Sequence, residues 1–322
     1  MKSNIDPAAH GLGGIPVHHC TSDSPQPYTP LTRQSEREMR TAYRWAVVRG
    51  IKIFYREVGD PAKPTILLLH GFPSSSHMYR ELMDLLAGDF HLVAPDYPGS
   101  GFSDYPPVDR FMPSFANLAD LMSEFTRQIG LTHFLLYMQD FGGPVGLRMA
   151  TEQPEQINGL IVQNANAYVE GIAADQLTAI MAAQRQGAEQ LVSRDFALQL
   201  YKTGARDFEA MDPTSWNVDA WVLDHAEARR IQTELMLDYR SNVAEYPRWH
   251  AYLRRNTPKT LIVWGRNDPV FLPSGAQAYL RDLPEAKLRF YDTGHFALEE
   301  DAPAIASEIL AFFGRSERGF CS

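Results

Sequence analysis

Cysteine is scarce in this chain, long apolar runs are missing, and acidic residues outnumber basic ones. The two cysteines, Cys20 and Cys321, stand near opposite ends of the 322 residues, which argues against a disulfide framework and a thiolate metal site. No apolar run approaches the roughly 18 to 20 residues that a membrane-spanning helix needs. A net charge of −9 argues against nucleic acid or an anionic membrane as the main partner. Because Lys2 is not followed by an apolar stretch, we expect no secretory signal and, by default, a cytoplasmic location.

The first 42 residues differ in composition from the rest of the chain. They contain many small polar residues, no sustained hydrophobic periodicity, and the prolines Pro7, Pro16, Pro25, Pro27 and Pro30. This composition predicts an irregular N-terminal extension over residues 1–42. The pair His18 and His19 could indicate a metal, but neighbouring histidines in such a tail usually bind none. We therefore expect no metal site and no cofactor, and we expect residues 317–322 to form a short tail.

From about residue 43, short apolar runs recur and predict a sheet of eight strands. Two alternating segments joined near Gly50 predict a hairpin at 43–48 and 51–58. Apolar runs typical of strands covered on both faces predict the other strands at 65–69, 91–95, 133–138, 157–162, 259–264 and 287–291. Helical patterns fall between the runs, at 78–87, 115–129, 144–149 and 304–313. This alternation predicts an α/β fold, with a mainly parallel sheet flanked by helices.

One long block interrupts the alternation. Between residues 165 and 256 no buried strand is evident, whereas helix-forming residues dominate and tyrosine and tryptophan are frequent. We interpret residues 165–256 as a helical cap inserted after the sixth strand, and residues 43–164 and 257–316 as the core domain. Because sites in parallel sheets lie outside the carboxyl ends of the strands, a cap in this place would enclose a pocket.

A carboxylate stands at the end of the fifth predicted strand. The stretch QDFGG at 139–143 runs from an apolar strand through a tight turn into a helix. A side chain at the tip of such an elbow points into the site, and small residues let the backbone pass closely. Met138 is larger than the glycine that is usual two residues before the tip. Asp140 could instead only cap the helix that follows, and this stretch alone does not separate the two interpretations.

Polar groups also follow other predicted strands. The stretch HGFP at 70–73 comes after the third strand, Asp268 after the seventh and His295 after the eighth. All face the same edge of the sheet as Asp140. The order nucleophile, acid, base, each at a strand end, indicates that Asp140, Asp268 and His295 form a catalytic trio.

With these motifs the chain resembles the α/β-hydrolase family over roughly residues 43–316. The stretch DYPGSGFS at 96–103 also looks like that family's loop after the fourth core strand. The resemblance implies an α/β-hydrolase fold in which Asp140 is the nucleophile, His295 the base and Asp268 the acid that orients the base. Backbone N–H groups of Phe72 and Phe141 could form the oxyanion hole. Within the family, an aspartate nucleophile is typical of epoxide hydrolases and of haloalkane or haloacid dehalogenases.

The chemistry of a carboxylate nucleophile leads to the same two activities. A carboxylate with an ordinary pKa is already ionised at pH 7 and needs no base to activate it. Attack on an ester would give a reactive anhydride, whereas displacement at a saturated carbon gives an ordinary ester. His295 could then activate a water molecule that attacks the carbonyl carbon of that ester. The elbow therefore favours a covalent alkyl-enzyme ester on Asp140.

The leaving group should separate the two activities. A halide needs N–H donors, but Phe141 stands where the related haloalkane dehalogenases usually carry a tryptophan, and Phe72 has no side-chain donor. An epoxide oxygen needs a proton donor, and Tyr239 lies near the spacing from Asp268 that the resemblance implies for such a tyrosine. Its partner is less clear, because Tyr168 and Tyr201 are both off the expected spacing.

We expect an epoxide hydrolase acting on a small apolar molecule and water. Gln139 before the nucleophile and Phe296 after His295 look more like dehalogenases, so a dehalogenase with the same trio is the main alternative. A hydrolase-fold binding protein without turnover and an esterase-like enzyme with Asp140 as base are two further alternatives. The sequence does not address the oligomeric state.

Overall fold

The computed structural model of the protein describes residues 40–314. The predictions for nearly all of the N-terminal extension, including His18, His19 and Cys20, and for Cys321 in the tail lie outside the described residues. Between residues 40 and 314, no helix combines the length and the apolar character that crossing a membrane would require.

Eight strands form one sheet in this part of the chain, which confirms the predicted fold class. The strands are β1 Ala42–Val48, β2 Ile51–Val58, β3 Thr65–Leu69, β4 His91–Pro95, β5 Phe134–Gln139, β6 Ile157–Gln163, β7 Thr260–Gly265 and β8 Lys287–Tyr291. Their spatial order is β1-β2-β4-β3-β5-β6-β7-β8. Strand β2 pairs antiparallel with β1 and β4, and the remaining neighbours are parallel.

The central strands carry the apolar core of the protein. Every residue of β3, β4, β5 and β7 is buried, as their nearly continuous apolar sequences predict. Burying one leucine or valine side chain of this kind contributes about 1.5–3 kcal/mol. The packed strands therefore hold their carboxyl ends, and the residues that follow them, in fixed positions.

Ten α-helices accompany the sheet within residues 40–314. They are α1 Arg80–Leu86, α2 Phe115–Gln128, α3 Gly142–Glu152, α4 Ala174–Met181, α5 Arg185–Leu191, α6 Arg194–Lys202, α7 Thr214–Val222, α8 Ala226–Asn256, α9 Pro273–Asp282 and α10 Leu298–Phe313. Helices α2 and α3 pack against each other, as do α1 and α10. Helices α4 to α8 all lie between β6 and β7, in the segment that we interpret as the cap.

The longest helix of this segment, α8, is anchored on the core helices. It has 31 residues. Asp238 of α8 accepts a hydrogen bond from the Phe115 N–H at the start of α2 (2.8 Å). Arg148 of α3 donates to Asn242 Oδ1 at 2.7 Å. These contacts fix α8 relative to α2 and α3.

A second anchor joins the same segment to α1 and α10. Arg80 donates two hydrogen bonds to Glu299, at 3.0 and 2.8 Å, and Ser215 of α7 donates to Glu299 at 2.6 Å. The Glu299 side chain is almost fully buried, so removing one partner would leave a charge poorly solvated. The segment from α4 to α8 is thus anchored both to α2 and α3 and to α1 and α10. That it forms a separate domain with the bounds 165–256 stays an interpretation.

Candidate active site

Three strand ends bring three ionisable side chains together. Asp140 follows β5, Asp268 follows β7 and His295 follows β8. His295 Nδ1 lies 2.9 Å from Asp268 Oδ2, and His295 Nε2 lies 3.8 Å from Asp140 Oδ2. Each of the three residues is at most 5% exposed. The residues predicted as a trio are therefore in direct proximity, and their catalytic roles stay predictions.

Asp140 stands at the tip of a tightly packed turn. Its φ is +48°, in the left-handed region that few non-glycine residues adopt. A Cβ on Gly142 would lie 2.1 Å from a backbone oxygen of β3, and one on Gly71 would lie 2.2 Å from Asp140 Cβ. Met138 fits without the usual glycine because Gly146 makes room, since a Cβ there would be 2.6 Å from Met138 Sδ. Gly71 and Gly142 must therefore be glycine, because a side chain at either position would collide with the closely packed atoms of the turn.

Backbone N–H groups converge on the Asp140 carboxylate. The Phe72 N–H donates to Oδ1 at 2.7 Å. Burial raises the pKa of Asp140, while the His295 charge and hydrogen bonds from the N–H groups of Phe72 and Phe141 oppose that rise. The N–H groups of Phe72 and Phe141, which are proposed for an oxyanion hole, thus both stabilise the charged form of the Asp140 carboxylate. Both groups can therefore stabilise negative charge on this carboxylate.

His295 is held in one orientation by Asp268. Burial would lower the pKa of His295, but the charge and hydrogen bond of Asp268, together with Asp140, outweigh that effect and raise the pKa above its ordinary value. Asp268 is itself fixed, because Val270 N–H donates to Oδ1 and Asn164 Nδ2 to Oδ2, both at 2.7 Å. The Nδ1 proton therefore faces Asp268, and Nε2 faces Asp140.

Asn164 is a site residue that the sequence reasoning missed. It follows β6, has a φ of +42°, and accepts the Gly265 N–H on its Oδ1 at 2.9 Å. Its Nδ2 donates to the carboxylate that orients His295. The argument that led to Asp268 and His295, that polar residues following strands face one edge of the sheet, applies equally to Asn164. Its position directly after β6 could therefore have identified it from the sequence.

A second buried histidine near the turn is not a base. The Tyr97 N–H donates to His70 Nε2 at 3.1 Å, so the proton of the ring is on Nδ1, which lies 3.0 Å from the Gly71 carbonyl oxygen. Burial lowers the pKa of His70 to about 4. His70 is therefore neutral at pH 7 and supports the loop that presents the Phe72 N–H.

Aromatic rings surround the carboxylate on the side of α8. Phe141 packs edge-on against Phe115, with ring centroids 4.9 Å apart, and lies 6.2 Å from the Tyr239 ring. Phe271 lies 5.9 Å from the His295 ring. Apart from the trio itself, the groups that we identify around Asp140 are uncharged. The surroundings of the carboxylate on this side are therefore apolar.

Among the tyrosines, Tyr239 is placed differently from the two others considered. Tyr168 donates to Asp282 at 2.7 Å and Tyr201 donates to Asp219 at 2.6 Å, so both hydroxyl protons are already engaged. The buried Tyr239 hydroxyl has no hydrogen-bond partner among the described residues. Burial, the neighbouring Tyr246 and the charge of Asp140 raise the pKa of Tyr239, so it remains a protonated donor at pH 7.

Tyr246, which the sequence reasoning did not single out, lies beside Tyr239. Its hydroxyl affects the pKa of Tyr239, although no hydrogen bond of normal geometry joins the two hydroxyl groups. Asn166 donates to the Tyr246 hydroxyl at 3.2 Å. Helix α8 thus supplies two neighbouring tyrosines, of which Tyr239 is near enough to Asp140 for the carboxylate charge to raise its pKa.

A family comparison and comparisons with known proteins agree with this architecture. A sequence model described as the alpha/beta hydrolase fold matches residues 64–302. An uncharacterized hydrolase of Saccharomyces cerevisiae is 37% identical over 278 residues, which span 83% of this chain and 95% of that protein. Haloalkane dehalogenase 2 of Mycobacterium tuberculosis is 28% identical over 84% of this chain and 94% of its own length.

Solved structures resemble the fold at low sequence identity. The haloalkane dehalogenase DbeA from Bradyrhizobium elkani has a TM-score of 0.69 at 20% identity and covers 84% of this chain and 97% of its own. The epoxide hydrolase CorEH has a TM-score of 0.71 at 17% identity and covers 85% of this chain and 99% of its own. Both activities therefore occur on this fold.

Proposed function

The chain belongs to the alpha/beta hydrolase fold family and is a hydrolase, and from this premise we propose that it acts through a covalent ester on Asp140. The observation that carries the proposal is the position of Asp140. Its carboxylate lies on the elbow after β5, receives the Phe72 N–H at 2.7 Å, and faces His295 Nε2 at 3.8 Å. We propose an epoxide as the substrate and a diol as the product.

In the first step, an Asp140 oxygen attacks a saturated carbon of the substrate. A new carbon–oxygen bond forms while the carbon–oxygen bond of the epoxide breaks, and the electron pair of that bond passes to the epoxide oxygen. The Tyr239 hydroxyl supports this step by donating its proton to that oxygen, with Tyr246 beside it. The product of the step is a hydroxyalkyl ester of Asp140.

In the second step, water hydrolyses the ester. His295 Nε2 takes a proton from the water as its oxygen bonds to Asp140 Cγ, and the N–H groups of Phe72 and Phe141 stabilise the oxyanion. The bond from Cγ to the Asp140 oxygen that now carries the substrate carbon then breaks, and the proton held by His295 passes to that oxygen as it leaves in the alcohol. The second proton of the water leaves the Asp140 carboxyl group and a proton returns to the Tyr239 phenolate, so that Asp140 is regenerated as a carboxylate with one oxygen that came from water.

The choice of an epoxide over a halide rests on the donors near Asp140. Phe141 and Phe72 carry no side-chain N–H for a halide, whereas Tyr239 offers a buried hydroxyl without another partner among residues 40–314. A haloalkane substrate remains the second candidate, because relatives of this chain carry the name haloalkane dehalogenase. The residue types at Gln139, before the nucleophile, and at Phe296, after His295, also look more like those of dehalogenases. A haloacid is less favoured, since the groups that act most on the Asp140 charge include no cation other than His295.

An assay panel separates these candidates. Diol formation from small epoxides and halide release from small haloalkanes are measured with the same enzyme preparation. We expect diol formation to be the faster reaction. Halide release without diol formation would reverse the order of the candidates, and turnover of neither would favour a binding protein.

We expect Tyr239→Phe to slow epoxide opening by about tenfold to a hundredfold, because the epoxide oxygen loses a proton donor. The rate of ester formation in a single turnover measures the effect. The matched control is Tyr252→Phe, which removes a hydroxyl from another buried tyrosine of α8. A Tyr239→Phe enzyme that forms the ester as fast as the wild type would reject the donor role.

We expect the rate of turnover to fall at low pH, with a midpoint above the ordinary histidine value of 6.5. The sign follows from the role of the ring: His295 must be neutral to accept a proton, and a raised pKa keeps it protonated up to a higher pH. Asp268→Asn removes one of the charges that raise this pKa, so the midpoint should move to lower pH. A kcat profile whose midpoint is the same in both enzymes would contradict the assignment.

A further inference from the structure

A buried amide lies against the ring nitrogen that the proposed base uses. Gln139 is the last residue of β5 and is fully buried. Its Nε2 is 3.0 Å from His295 Nε2, which is closer than the 3.8 Å between His295 Nε2 and Asp140 Oδ2. The direct partner of the ring nitrogen is therefore Gln139 and not Asp140.

The other half of the same amide is free. Gln139 Oε1 is buried and accepts no hydrogen bond from any of residues 40–314. Buried amide oxygens are normally hydrogen-bonded, because losing water without a replacement is unfavourable. An acceptor of this kind next to a catalytic base is suited to a hydrogen-bond donor that enters the site during the reaction.

The contacts of His295 determine whether the lone pair on its Nε2 can accept a proton. With the Nδ1 proton directed at Asp268, the neutral ring presents a lone pair at Nε2, and the Gln139 N–H occupies it. A partial rotation of the amide about the Cγ–Cδ bond would move its N–H away from Nε2 and direct Oε1 toward a water molecule beside the ring. The backbone need not move, because Gln139 is held in the sheet opposite Gln163.

We propose that Gln139 is a positioning residue that orients the hydrolytic water through its Oε1. This inference rests on the proposed ester mechanism. The water donates one hydrogen to His295 Nε2 and the other to Gln139 Oε1, which directs its oxygen lone pair at Cγ of the Asp140 ester. The first hydrogen is transferred to Nε2 as the oxygen–Cγ bond forms, and the second stays on the oxygen that becomes part of Asp140.

The first half-reaction does not need this alignment. Attack on the substrate uses an Asp140 oxygen, and no proton passes through His295 Nε2. The inference therefore predicts that loss of the Gln139 amide affects one step and spares the other. A merely structural role for Gln139 would disturb both steps, because the residue directly precedes the nucleophile.

We expect Gln139→Leu to slow ester hydrolysis by about tenfold to a hundredfold, because the water loses one of its two orienting acceptors, and to leave ester formation within about twofold of the wild type. Single-turnover kinetics with mass spectrometry of the Asp140 peptide measures both rates. The matched control is Gln163→Leu, which removes a buried amide at the paired position of β6. This control should leave the ratio of the two rates unchanged.

Gln139→Glu keeps an acceptor at the same place. Its charge stabilises the protonated ring, so the acid limb of the hydrolysis rate should move to higher pH, and above that limb hydrolysis should recover to within about tenfold of the wild type. Hydrolysis by Gln139→Leu should recover at no pH. Nitrogen-15 NMR of the free enzymes adds a readout without substrate: the His295 Nε2 resonance should shift in Gln139→Leu and stay in place in Gln163→Leu.

The outcomes separate this inference from the proposed function. If the wild type forms no ester, both are wrong. If the ester forms and Gln139→Leu slows both steps equally, slows neither, or leaves the Nε2 resonance unchanged, the water-positioning role is wrong and the ester mechanism stands.

Discussion

Asp140→Asn is expected to reduce kcat by about 10⁴-fold or more, the order of loss seen when an enzyme nucleophile is removed. An amide oxygen is a poor nucleophile, so the first bond to the substrate does not form. The substitution keeps the shape of the side chain, and asparagine tolerates the left-handed φ of +48° at this position. The Phe72 N–H can still donate to the amide oxygen.

Because the fold should be retained, the thermal midpoint of Asp140→Asn should lie within a few degrees of the wild type. The mass of the peptide that contains position 140 shows whether the amide has reverted to the acid, which would restore activity. Activity at near wild-type levels with the amide intact would mean that Asp140 is not the nucleophile. Slower but substantial turnover without any ester would favour Asp140 as a general base.

His295→Gln is expected to trap the ester, and its kcat should fall by about 10²- to 10⁴-fold, the range for loss of a general base. Attack by Asp140 needs no base and should survive, whereas hydrolysis loses its proton acceptor. The variant should therefore accumulate a covalent adduct on the Asp140 peptide. Intact-mass measurement after mixing with substrate detects this adduct directly.

His91→Gln provides the matched control, because His91 is also buried but stands at the amino end of β4, away from the strand ends that form the site. It should turn over without accumulating an adduct. A His295→Gln enzyme that stays unmodified while it consumes substrate would contradict a role confined to the second step.

The sheet was predictable because its signals are local. Runs such as those of β3 and β5 are apolar throughout and bounded by turn residues, so their burial on both faces follows from composition. The strand-end rule then led from the sheet to Asp140, Asp268 and His295, since parallel strands present their carboxyl ends at one edge. The structure places these residues within contact distance of one another.

The partners of these residues were not predictable in the same way. The position of Asn164 after β6 marks it as a strand-end residue, but its hydrogen bond to Asp268 and the contact of Gln139 with His295 come from tertiary packing. The same holds for the tyrosines: spacing favoured Tyr239 over Tyr168 and Tyr201 but did not identify its partner, whereas the structure places Tyr246 beside Tyr239.

The central claim is that an oxygen of the Asp140 carboxylate passes to the product and is replaced by an oxygen from water. The most direct test is a single turnover in oxygen-18 water, with enzyme in excess, followed by mass spectrometry of the Asp140 peptide and of the product. The ester mechanism predicts that the label enters the Asp140 carboxylate and that the first product molecule is unlabelled. Label in the product with none in Asp140 would contradict it, because water would then have attacked the substrate directly.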